Sequence, residues 1–350
     1  MNTTFNLESL IRPTINALKP YSSARDEFDS NDGKAILLDA NESPFYNGLN
    51  RYPDPHQRVL KQKLSELKNI PTDRILLGNG SDEVLDLLFR AFCEPNLSSI
   101  ITLTPTYGMY DVLASINAIE NIEVPLSENF NPEVATILKA IKPSTRLLFI
   151  CSPNNPTGNT FSDESIEQLL NQFNGLVIID EAYIDFSDKT SWLERLEKFP
   201  NLVITQTMSK AWGLAGIRLG FCFSSPEVIS VLKKIKPPYN VNELTQQRAL
   251  KQLNNADVVS VEINTVKQNK AKLINDLNSF SMVEMIAPSD TNFLLVRFLE
   301  PHKVYHHLRN NGIIIRNRST LKGCENCLRI TVGTEKENEK LLNSLKTLVV

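Results

Sequence analysis

Lys210 is the residue of this chain with the clearest potential for covalent chemistry. Ser209 precedes it, a glycine-containing loop follows it, and Arg218 lies eight positions further on. Thirty residues upstream, the apolar run Leu176–Ile179 ends in Asp180. A neutral lysine amine attacks carbonyl carbons, whereas hydroxyl groups and a guanidinium bind anions. The sequence therefore predicts an amine nucleophile beside an anion site, with a carboxylate at a strand end nearby.

These groups are the parts of a pocket for pyridoxal phosphate, a cofactor that carries an aldehyde, a ring nitrogen and a phosphate. Asp180 would meet the protonated ring nitrogen, because a buried carboxylate is costly unless it faces a cation. Lys210 must be neutral to react with the aldehyde. Its ordinary pKa of about 10.4 would fall through partial desolvation and the positive charge of Arg218. The alternatives are a plain buried salt bridge at Asp180 and a surface lysine at Lys210.

Three further loops with candidate ligand groups follow predicted strands. Gly78–Glu83 opens a helix, and its glycines and free N–H groups suit an anion, although a glutamate at its end breaks the dinucleotide fingerprint Gly-x-Gly-x-x-Gly. Tyr107 could stack on a planar ring. Asn155 lies between two prolines in a rigid loop, where its amide could face a ligand oxygen. The respective alternatives are a plain turn with a helix cap, a half-buried tyrosine and a structural turn.

Alternating strands and helices must position these residues. Between about residues 50 and 240, short apolar runs alternate with helical patterns such as Ser81–Phe92 and Ser162–Phe173, with Ser162 as an N-cap. This pattern predicts an α/β fold whose mainly parallel sheet is flanked by helices. Since ligands collect at the carboxyl ends of such strands, we expect the candidate residues to meet at one edge. The predicted strands are Ile75–Leu77, Ile100–Leu103, Leu147–Ile150, Leu176–Ile179, Leu202–Ile204 and Ile217–Phe223.

A boundary is expected at Pro237-Pro238, followed by one long helix over about 242–279. The remainder predicts a smaller α+β domain, with a last helix that Thr334 and Glu337 cap. We therefore divide the chain into three segments. They are an N-terminal arm with one short helix that joins the small domain (1–48), a large cofactor-binding domain (49–240), and a linking helix with the C-terminal small domain (241–350).

Composition excludes several classes of protein. The 350 residues carry 37 basic and 40 acidic side chains, a net charge of −3, which gives no basic field for nucleic acid. No run approaches the roughly 18 apolar residues of a membrane helix, and no secretory signal is visible, so we expect a cytoplasmic protein. Five scattered cysteines fit reduced thiols, and the single Cys324-x-x-Cys327 pair lacks the further ligands of a metal site. Lys233, Lys234 and Lys236 are interpreted as the solvated end of a helix.

Taken together, these motifs resemble the fold-type I pyridoxal phosphate aminotransferases, from about Tyr21 to Gly333. Within that superfamily, three more segments are similar to signatures of the histidinol-phosphate aminotransferase family. They are Asp39–Pro44, Asn50–Pro55 and Cys327–Gly333.

The resemblance implies roles for individual residues. Lys210 would form the Schiff base and then move the proton, with Asp180 and Tyr183 as its catalytic partners. Tyr52 would reach the cofactor phosphate of the neighbouring subunit in a homodimer. Arg329, helped by Arg316 and Tyr21, would bind the substrate anion, which is the glutamate carboxylate in one half-reaction and the phosphate of histidinol phosphate in the other. The cofactor would be bound by Gly80, Ser81, Asp82 (through its N–H), Tyr107, Asn155, Asp180, Tyr183, Thr207, Ser209, Lys210, Arg218 and Tyr52.

Two other functions remain open at this stage, and two more are disfavoured. An aromatic amino acid aminotransferase or a threonine-phosphate decarboxylase would keep a similar lysine pocket, and Arg316 and Arg329 would suit the substrates of both. A cofactor-binding regulator would need a DNA-binding domain, for which the segment before Tyr21 is too short. A dehydrogenase would need the glycine fingerprint that the Gly78–Glu83 loop lacks.

Overall fold

The predicted alternation of strands and helices builds a mainly parallel sheet in the computed structural model, which describes residues 5–21 and 36–348. Within those residues, this large sheet has seven strands: β1 Ile75–Asn79, β2 Ser99–Thr104, β3 Glu120–Pro125, β4 Thr145–Cys151, β5 Leu176–Asp180, β6 Leu202–Thr207 and β7 Leu219–Phe223. Their spatial order is β1-β7-β6-β5-β4-β2-β3. Only β7 runs antiparallel to its neighbours β1 and β6, so the carboxyl ends of the other strands share one edge.

A second, smaller sheet follows later in the chain, and its strands pair antiparallel throughout. It consists of β8 Val283–Ile286, β9 Phe293–Phe298, β10 Arg316–Asn317 and β11 Cys327–Thr331, in the order β10-β11-β9-β8. The α-helices in the described residues are α1 Pro13–Asn16, α2 Arg58–Lys68, α3 Ser81–Phe92, α4 Met109–Ile116, α5 Val134–Ala140, α6 Asp163–Gln172, α7 Pro226–Ile235, α8 Glu243–Leu253, α9 Ala256–Leu277, α10 Pro301–Asn310 and α11 Glu335–Lys346.

The large sheet is buried on both faces, as its continuous apolar strands predict. Successive side chains of a strand point to opposite faces, so Leu176 and Ile178 join one core and Val177 and Ile179 join the other. Helices cover both cores, and the strand ends are left as the accessible part of the sheet. Asp180 is the last residue of β5, and its position follows from this arrangement.

Helix caps confirm two sequence predictions. The Ser162 side chain accepts a hydrogen bond from the Ser165 N–H at the start of α6. Thr334 and Glu337 form the predicted capping box at the start of α11. Both caps pair N–H groups that have no partner inside the helix.

The prediction of a single long helix over 242–279 is wrong. The structure has two helices, α8 and α9, with a break at Asn254 and Asn255. The Asn255 amide donates to the Lys251 carbonyl, an example of the local bonding by which asparagine competes with a helix. The strand expected at Ile217–Phe223 begins only at Leu219, because Arg218 has a left-handed backbone (φ 55°).

The N-terminal arm also differs from the expectation. In place of one amphipathic helix, residues 5–21 contain a 3-10 turn at Leu7–Ser9 and the short helix α1. Leu10 is buried against the helices of the large sheet, and the Arg12 N–H donates to the Ala91 carbonyl at the end of α3. Residues 5–21 therefore pack on the helices of the large sheet. Residues 1–4 and 22–35 of the predicted arm lie outside the described residues.

Lys236 is not a solvated helix end. Its ammonium donates to the Pro55 and Pro238 carbonyls and to Asn240 Oδ1, at 2.9 to 3.3 Å. Burial lowers its pKa to about 8. The two prolines that follow α7 provide two of the acceptors, since the Pro237 carbonyl also accepts from this ammonium at 2.9 Å.

Among the described residues, no helix combines the length and the apolar character that a membrane crossing requires.

Candidate active site

A cavity of about 100 Å³ opens at the edge where the carboxyl ends of the parallel strands meet. It brings together residues that are far apart in the sequence and that were predicted for this edge. Its lining contains Ser81, Asp82, Tyr107, Asn155, Asp180, Tyr183, Thr207, Ser209, Lys210 and Arg218, together with Cys151 and Ala182.

Asp180 is buried at the floor of the cavity, with 3% of its surface exposed. The Tyr110 hydroxyl donates to its Oδ2 at 2.8 Å, and the Ala182 N–H donates to its Oδ1 at 3.2 Å. Desolvation nevertheless raises the pKa of the carboxyl group, since burial penalises the charged form more than these bonds favour it. A cation in the cavity would reverse this shift.

Lys210 extends into the same cavity, and its Nζ lies 5.6 Å from the centre of the Tyr183 ring. Its pKa is lowered, first by desolvation and then by the positive charge of Arg329, while Asp180 and Asp82 act in the opposite direction. From the sequence we expected the charge of Arg218 to lower this pKa, but it contributes less than the charge of Arg329. A lowered pKa increases the fraction of neutral amine, the form that reacts as a nucleophile and accepts a proton.

The start of α3 and the Lys210 loop form an anion-binding cradle. Arg218 Nη1 lies 3.4 Å from Ser209 Oγ, which also accepts a hydrogen bond from Thr207 Oγ1 at 3.0 Å. Gly80 has φ +81°, and a Cβ at this position would lie 2.8 Å from Arg218 Nη2. Only glycine therefore allows the guanidinium to approach the first N–H groups of α3, which face the same space.

Asp82 has a different environment from the one expected. Its carboxylate accepts a hydrogen bond from the Tyr107 hydroxyl at 3.0 Å and lies 3.6 Å from Arg218 Nη2. These two groups hold the carboxylate at the side of the cradle. The backbone N–H of Asp82 belongs to the first turn of α3. That this N–H binds an anion stays a prediction.

Arg329 joins the small sheet to this cavity. It lies on β11, and its Nη1 donates a hydrogen bond to Oδ1 of Asn155 in the loop after β4. Its guanidinium also stacks over the Phe293 ring at 5.2 Å, while its buried Nε has no hydrogen-bond partner among the described residues. Burial lowers the pKa of the guanidinium, so an anion at this position would be stabilising.

The loop that carries Asn155 is fastened to the segment before β9. The Asp290 N–H donates to the Gly158 carbonyl at 2.8 Å, and Asp290 Oδ2 accepts hydrogen bonds from the N–H and hydroxyl of Thr160 at 3.0 and 2.7 Å. Asn154 fixes the other side of the loop by donating to the Pro105 carbonyl at 2.9 Å. The loop that contributes Asn155 to the cavity wall is therefore held in place by the segment before β9.

Among the described residues, five of the predicted ones do not line this cavity: Gly80, Tyr21, Tyr52, Arg316 and Arg329. Gly80 and Arg329 lie next to the lining residues Arg218 and Asn155. Arg316 is exposed and lies directly across the β10–β11 ladder from Arg329. Tyr21 is 71% exposed. Tyr52 is 50% exposed, stacks on Tyr239 with ring centres 4.4 Å apart, and lines a separate cavity with Glu42 and Leu244. Within the described residues of this one chain, Tyr21 and Tyr52 are not brought to the Lys210 cavity.

Sequence reasoning missed the residues that support the floor of the cavity. Tyr110 lies on α4, three positions after Tyr107, and its apolar surroundings make it indistinguishable from an ordinary core residue in the sequence. Glu181 is 1% exposed and accepts hydrogen bonds from Ser191 Oγ at 2.6 Å and from Gln206 Nε2 at 2.8 Å. Both residues hold the end of β5, and only their tertiary contacts reveal this.

Comparison with known proteins gives the family. The family model for aminotransferase class I and II matches residues 34–345. The chain is 56% identical over 346 residues to the histidinol-phosphate aminotransferase of Flavobacterium johnsoniae, and the match covers 99% of each chain. The chain belongs to the class I and II aminotransferase family. Its resemblance to a histidinol-phosphate aminotransferase extends to Parabacteroides distasonis, with 49% identity over 98% of this chain and 99% of the relative.

Solved structures of this family share the fold. The histidinol-phosphate aminotransferase of Clostridium acetobutylicum superposes with a TM-score of 0.79 at 25% identity, covering 85% of this chain and 90% of the other. The enzyme of Sinorhizobium meliloti, solved in complex with pyridoxal 5'-phosphate, gives a TM-score of 0.76 at 23% identity and covers 85% and 84%. The predicted fold class, a mainly parallel sheet with helices and a separate smaller sheet, is confirmed.

The residues of the cavity fit pyridoxal phosphate. Asp180 offers a buried carboxylate to a ring cation, and the cradle at Gly80 leaves room for an anion beside Arg218. Lys210, the lysine in the cavity lining, provides the amine. The three groups match the ring nitrogen, phosphate and aldehyde of one molecule.

Proposed function

We propose that this chain transfers an amino group between histidinol phosphate and 2-oxoglutarate, giving imidazole-acetol phosphate and glutamate, a step of histidine biosynthesis. The observation that supports the proposal is that Lys210 lines one cavity with Asp180 and Arg218, while the positive charge of Arg329 also reaches it and lowers its pKa. An amine with a lowered pKa between a cofactor site and a substrate anion site suits aminotransferase chemistry. The near full-length identity to histidinol-phosphate aminotransferases supports this choice of substrate.

Pyridoxal phosphate, when bound, supplies a protonated ring that withdraws electrons from the substrate carbon that loses its proton. Asp180 would keep the ring nitrogen protonated, and Asn155 and Tyr183 would bond its phenolic oxygen. Tyr107 would stack on the ring. Gly80, Ser81, Asp82, Thr207, Ser209 and Arg218 would hold the phosphate through hydroxyl groups, N–H groups and a guanidinium. Lys210 would hold the cofactor and later carry the substrate proton at its Nζ.

Arg329 would bind the substrate anion, with Arg316 and Tyr21 beside it. The hydrogen bond from Arg329 to Asn155 supports this assignment, because it holds the guanidinium at the cavity. A guanidinium can donate two parallel hydrogen bonds to a carboxylate or to a phosphate. The two half-reactions present these two anions in turn.

A homodimer is part of the proposal. Tyr52 lies half exposed outside the Lys210 cavity, and Leu38, Phe45 and Tyr46, which precede it in the sequence, also expose apolar surface. A second copy of the chain would cover this surface and bring Tyr52 to the phosphate of the partner. Sedimentation analysis should give twice the chain mass, and Tyr52→Phe should weaken cofactor binding without changing that mass.

The division into 1–48, 49–240 and 241–350, and a cytoplasmic location, also remain proposals. The core of the small sheet, which is built from residues between 273 and 345, supports the third segment, whereas the core of the large sheet also includes Val241, Ala249 and Leu253.

The proposed function is tested with the purified, cofactor-loaded protein. We expect glutamate to form when histidinol phosphate and 2-oxoglutarate are supplied, measured by coupled glutamate oxidation. Phenylalanine and threonine phosphate serve as competing substrates. Turnover of phenylalanine or decarboxylation of threonine phosphate, without activity towards histidinol phosphate, would favour the alternative functions and refute this one.

A further inference from the structure

Arg318 was not among the predicted site residues, yet it lies beside Arg316 and Arg329. Its N–H donates to the Cys327 carbonyl at 3.0 Å, so the β10–β11 ladder continues one position beyond β10. Arg316 is paired with Arg329 across this ladder. Residues two apart on an extended chain point to the same side. Arg316, Arg318 and Arg329 therefore belong to one face of the small sheet.

Within the described part of the chain, no carboxylate is among the charges that act most strongly on Arg318 and Arg329. Among the described residues, the ionisable groups that act most strongly on Arg318 are Arg316, Cys324 and Tyr183. Those that act on Arg329 are Tyr183, Arg318 and Arg316. Both pKa values are lowered, by burial and by the neighbouring positive charges. Like charges at close range are destabilising unless an anion joins them.

Arg318 also carries an unused donor. Its Nε is buried and has no hydrogen-bond partner within the described part of the chain, which is equally true of the Arg329 Nε. Buried donors are nearly always paired in folded proteins, so each of these two N–H groups calls for an acceptor. Tyr183, which lies near both guanidinium groups, lines the Lys210 cavity. The two donors therefore belong to the substrate side of that cavity.

We propose that Arg318 is a third arginine of the substrate anion site and that it favours the phosphate substrate over the carboxylate substrate. This inference rests on the proposed function. A phosphate monoester carries a charge of about −1.5 to −2 at pH 7 and three acceptor oxygens, whereas a carboxylate carries one charge and two oxygens. One arginine satisfies a carboxylate in bidentate fashion. The additional guanidinium is therefore useful only when the doubly charged phosphate is bound.

The test compares both substrates in the cofactor-loaded protein. We expect Arg318→Gln to lower kcat/KM for histidinol phosphate by roughly 10- to 100-fold, the loss of one charge-assisted hydrogen bond. The kcat/KM for glutamate should change by less than about 3-fold, because Arg329 binds the glutamate carboxylate. Arg318→Lys should fall between these limits, since an ammonium keeps the charge and lacks the planar fork. Arg309→Gln, an exposed arginine on α10, serves as the matched control and should match the unchanged chain.

The pH dependence separates charge recognition from a structural role. The second pKa of a phosphate monoester is about 6. The difference between Arg318→Gln and the unchanged chain should therefore be smaller at pH 5.5 than at pH 7.5. Equal losses with both substrates, or a difference that is independent of pH, would overturn the inference.

A third measurement keeps the inference testable if histidinol phosphate proves not to be a substrate. Inorganic phosphate should compete with the substrate that the protein does turn over. Its inhibition constant should rise roughly 10-fold or more in Arg318→Gln. If the inhibition constant stays the same in Arg318→Gln, the role of Arg318 is refuted and the proposed function is not affected. If the unsubstituted protein is inactive towards histidinol phosphate, only the proposed function is refuted.

Discussion

Arg329 on the small sheet donates a hydrogen bond to the Asn155 side chain in a loop of the large sheet. The proposed substrate anion ligand and a proposed cofactor ligand are therefore in direct contact. Burial and neighbouring arginines lower the pKa of Arg329, and Arg329 in turn lowers the pKa of Lys210. One guanidinium thus connects substrate binding, cofactor binding and the protonation of the amine.

Replacement of the amine should abolish the reaction. We expect Lys210→Ala to lower kcat by at least roughly 10²- to 10⁴-fold, because the residue that transfers the proton is gone. The absorption band that borohydride removes from the loaded protein should also be missing. Lys251→Ala changes an exposed lysine on α8 and should keep both the band and the activity. A Lys210→Ala variant with normal turnover would show that another group is the base.

Loss of Arg329 should weaken binding of both substrates. Arg329→Gln should raise the Michaelis constants for glutamate and for histidinol phosphate. The rise should correspond to a loss of about 2–5 kcal/mol in binding free energy, the range for truncating one member of a buried charge pair. Arg248→Gln, at an exposed position on α8, is the control. Unchanged Michaelis constants in steady-state assays would contradict the anchoring role.

The lowered pKa of Lys210 predicts its reactivity at different pH values. Acetic anhydride modifies only the neutral amine. In the cofactor-free protein, Lys210 should therefore reach half of its maximal labelling rate at a lower pH than a free lysine side chain, whose pKa is about 10.4. In Arg329→Gln the midpoint should move to higher pH, because a positive charge that disfavours the ammonium is removed. Mass spectrometry of the labelled peptide measures both midpoints, and the same midpoint in the two proteins would count against this coupling.

Tyr110 should act by positioning Asp180. Tyr110→Phe removes the hydroxyl that donates to Asp180 Oδ2 and keeps the ring in the core. The loss of a hydrogen bond to a buried carboxylate should weaken cofactor binding by about 1–3 kcal/mol. The dissociation constant for pyridoxal phosphate, measured by spectral titration, tests this, with Tyr305→Phe on α10 as the control. If both variants bind the cofactor alike, the hydroxyl has no part in holding the ring.

A buried lysine outside the site should limit stability. Lys61 on α2 is 6% exposed, and desolvation together with Lys233 and Lys236 lowers its pKa to about 7. Between pH 7 and 10.5 the unfolded chain binds this proton and the folded chain does not, so stability rises with pH across that range. The difference corresponds to at most about 5 kcal/mol.

Lys61→Met should therefore stabilise the protein at pH 7, by about 1–4 kcal/mol. It should also remove part of the rise in stability between pH 7 and pH 10. Urea unfolding at the two pH values, at a fixed protein concentration, measures both effects. Lys251→Met is the control, and a destabilised Lys61→Met variant would show that the ammonium forms contacts worth more than its burial costs.

The residues at the edge of the large sheet could be predicted because the local sequence around each of them is informative. Asp180, Asn155 and Lys210 directly follow apolar runs or lie in loops of unusual composition, and strand ends collect ligands. Tyr110 was missed because its helix presents an ordinary apolar face. Arg318 was missed because β10 has only two residues, so its register against β11 has no visible pattern in the sequence. The break at Asn254 and Asn255 was missed because helix formers surround both residues.

The hydrogen bonds between Asp290 and the Gly158–Thr160 segment have a thermodynamic consequence. They tie the loop that carries Asn155 to the segment preceding β9, whose neighbour β11 carries Arg329. If a bound substrate anion stabilises these hydrogen bonds, it also stabilises the loop that holds the cofactor, so the two binding free energies are coupled. Because such coupling is reciprocal, the factor by which the substrate strengthens cofactor retention must equal the factor by which the cofactor strengthens substrate affinity.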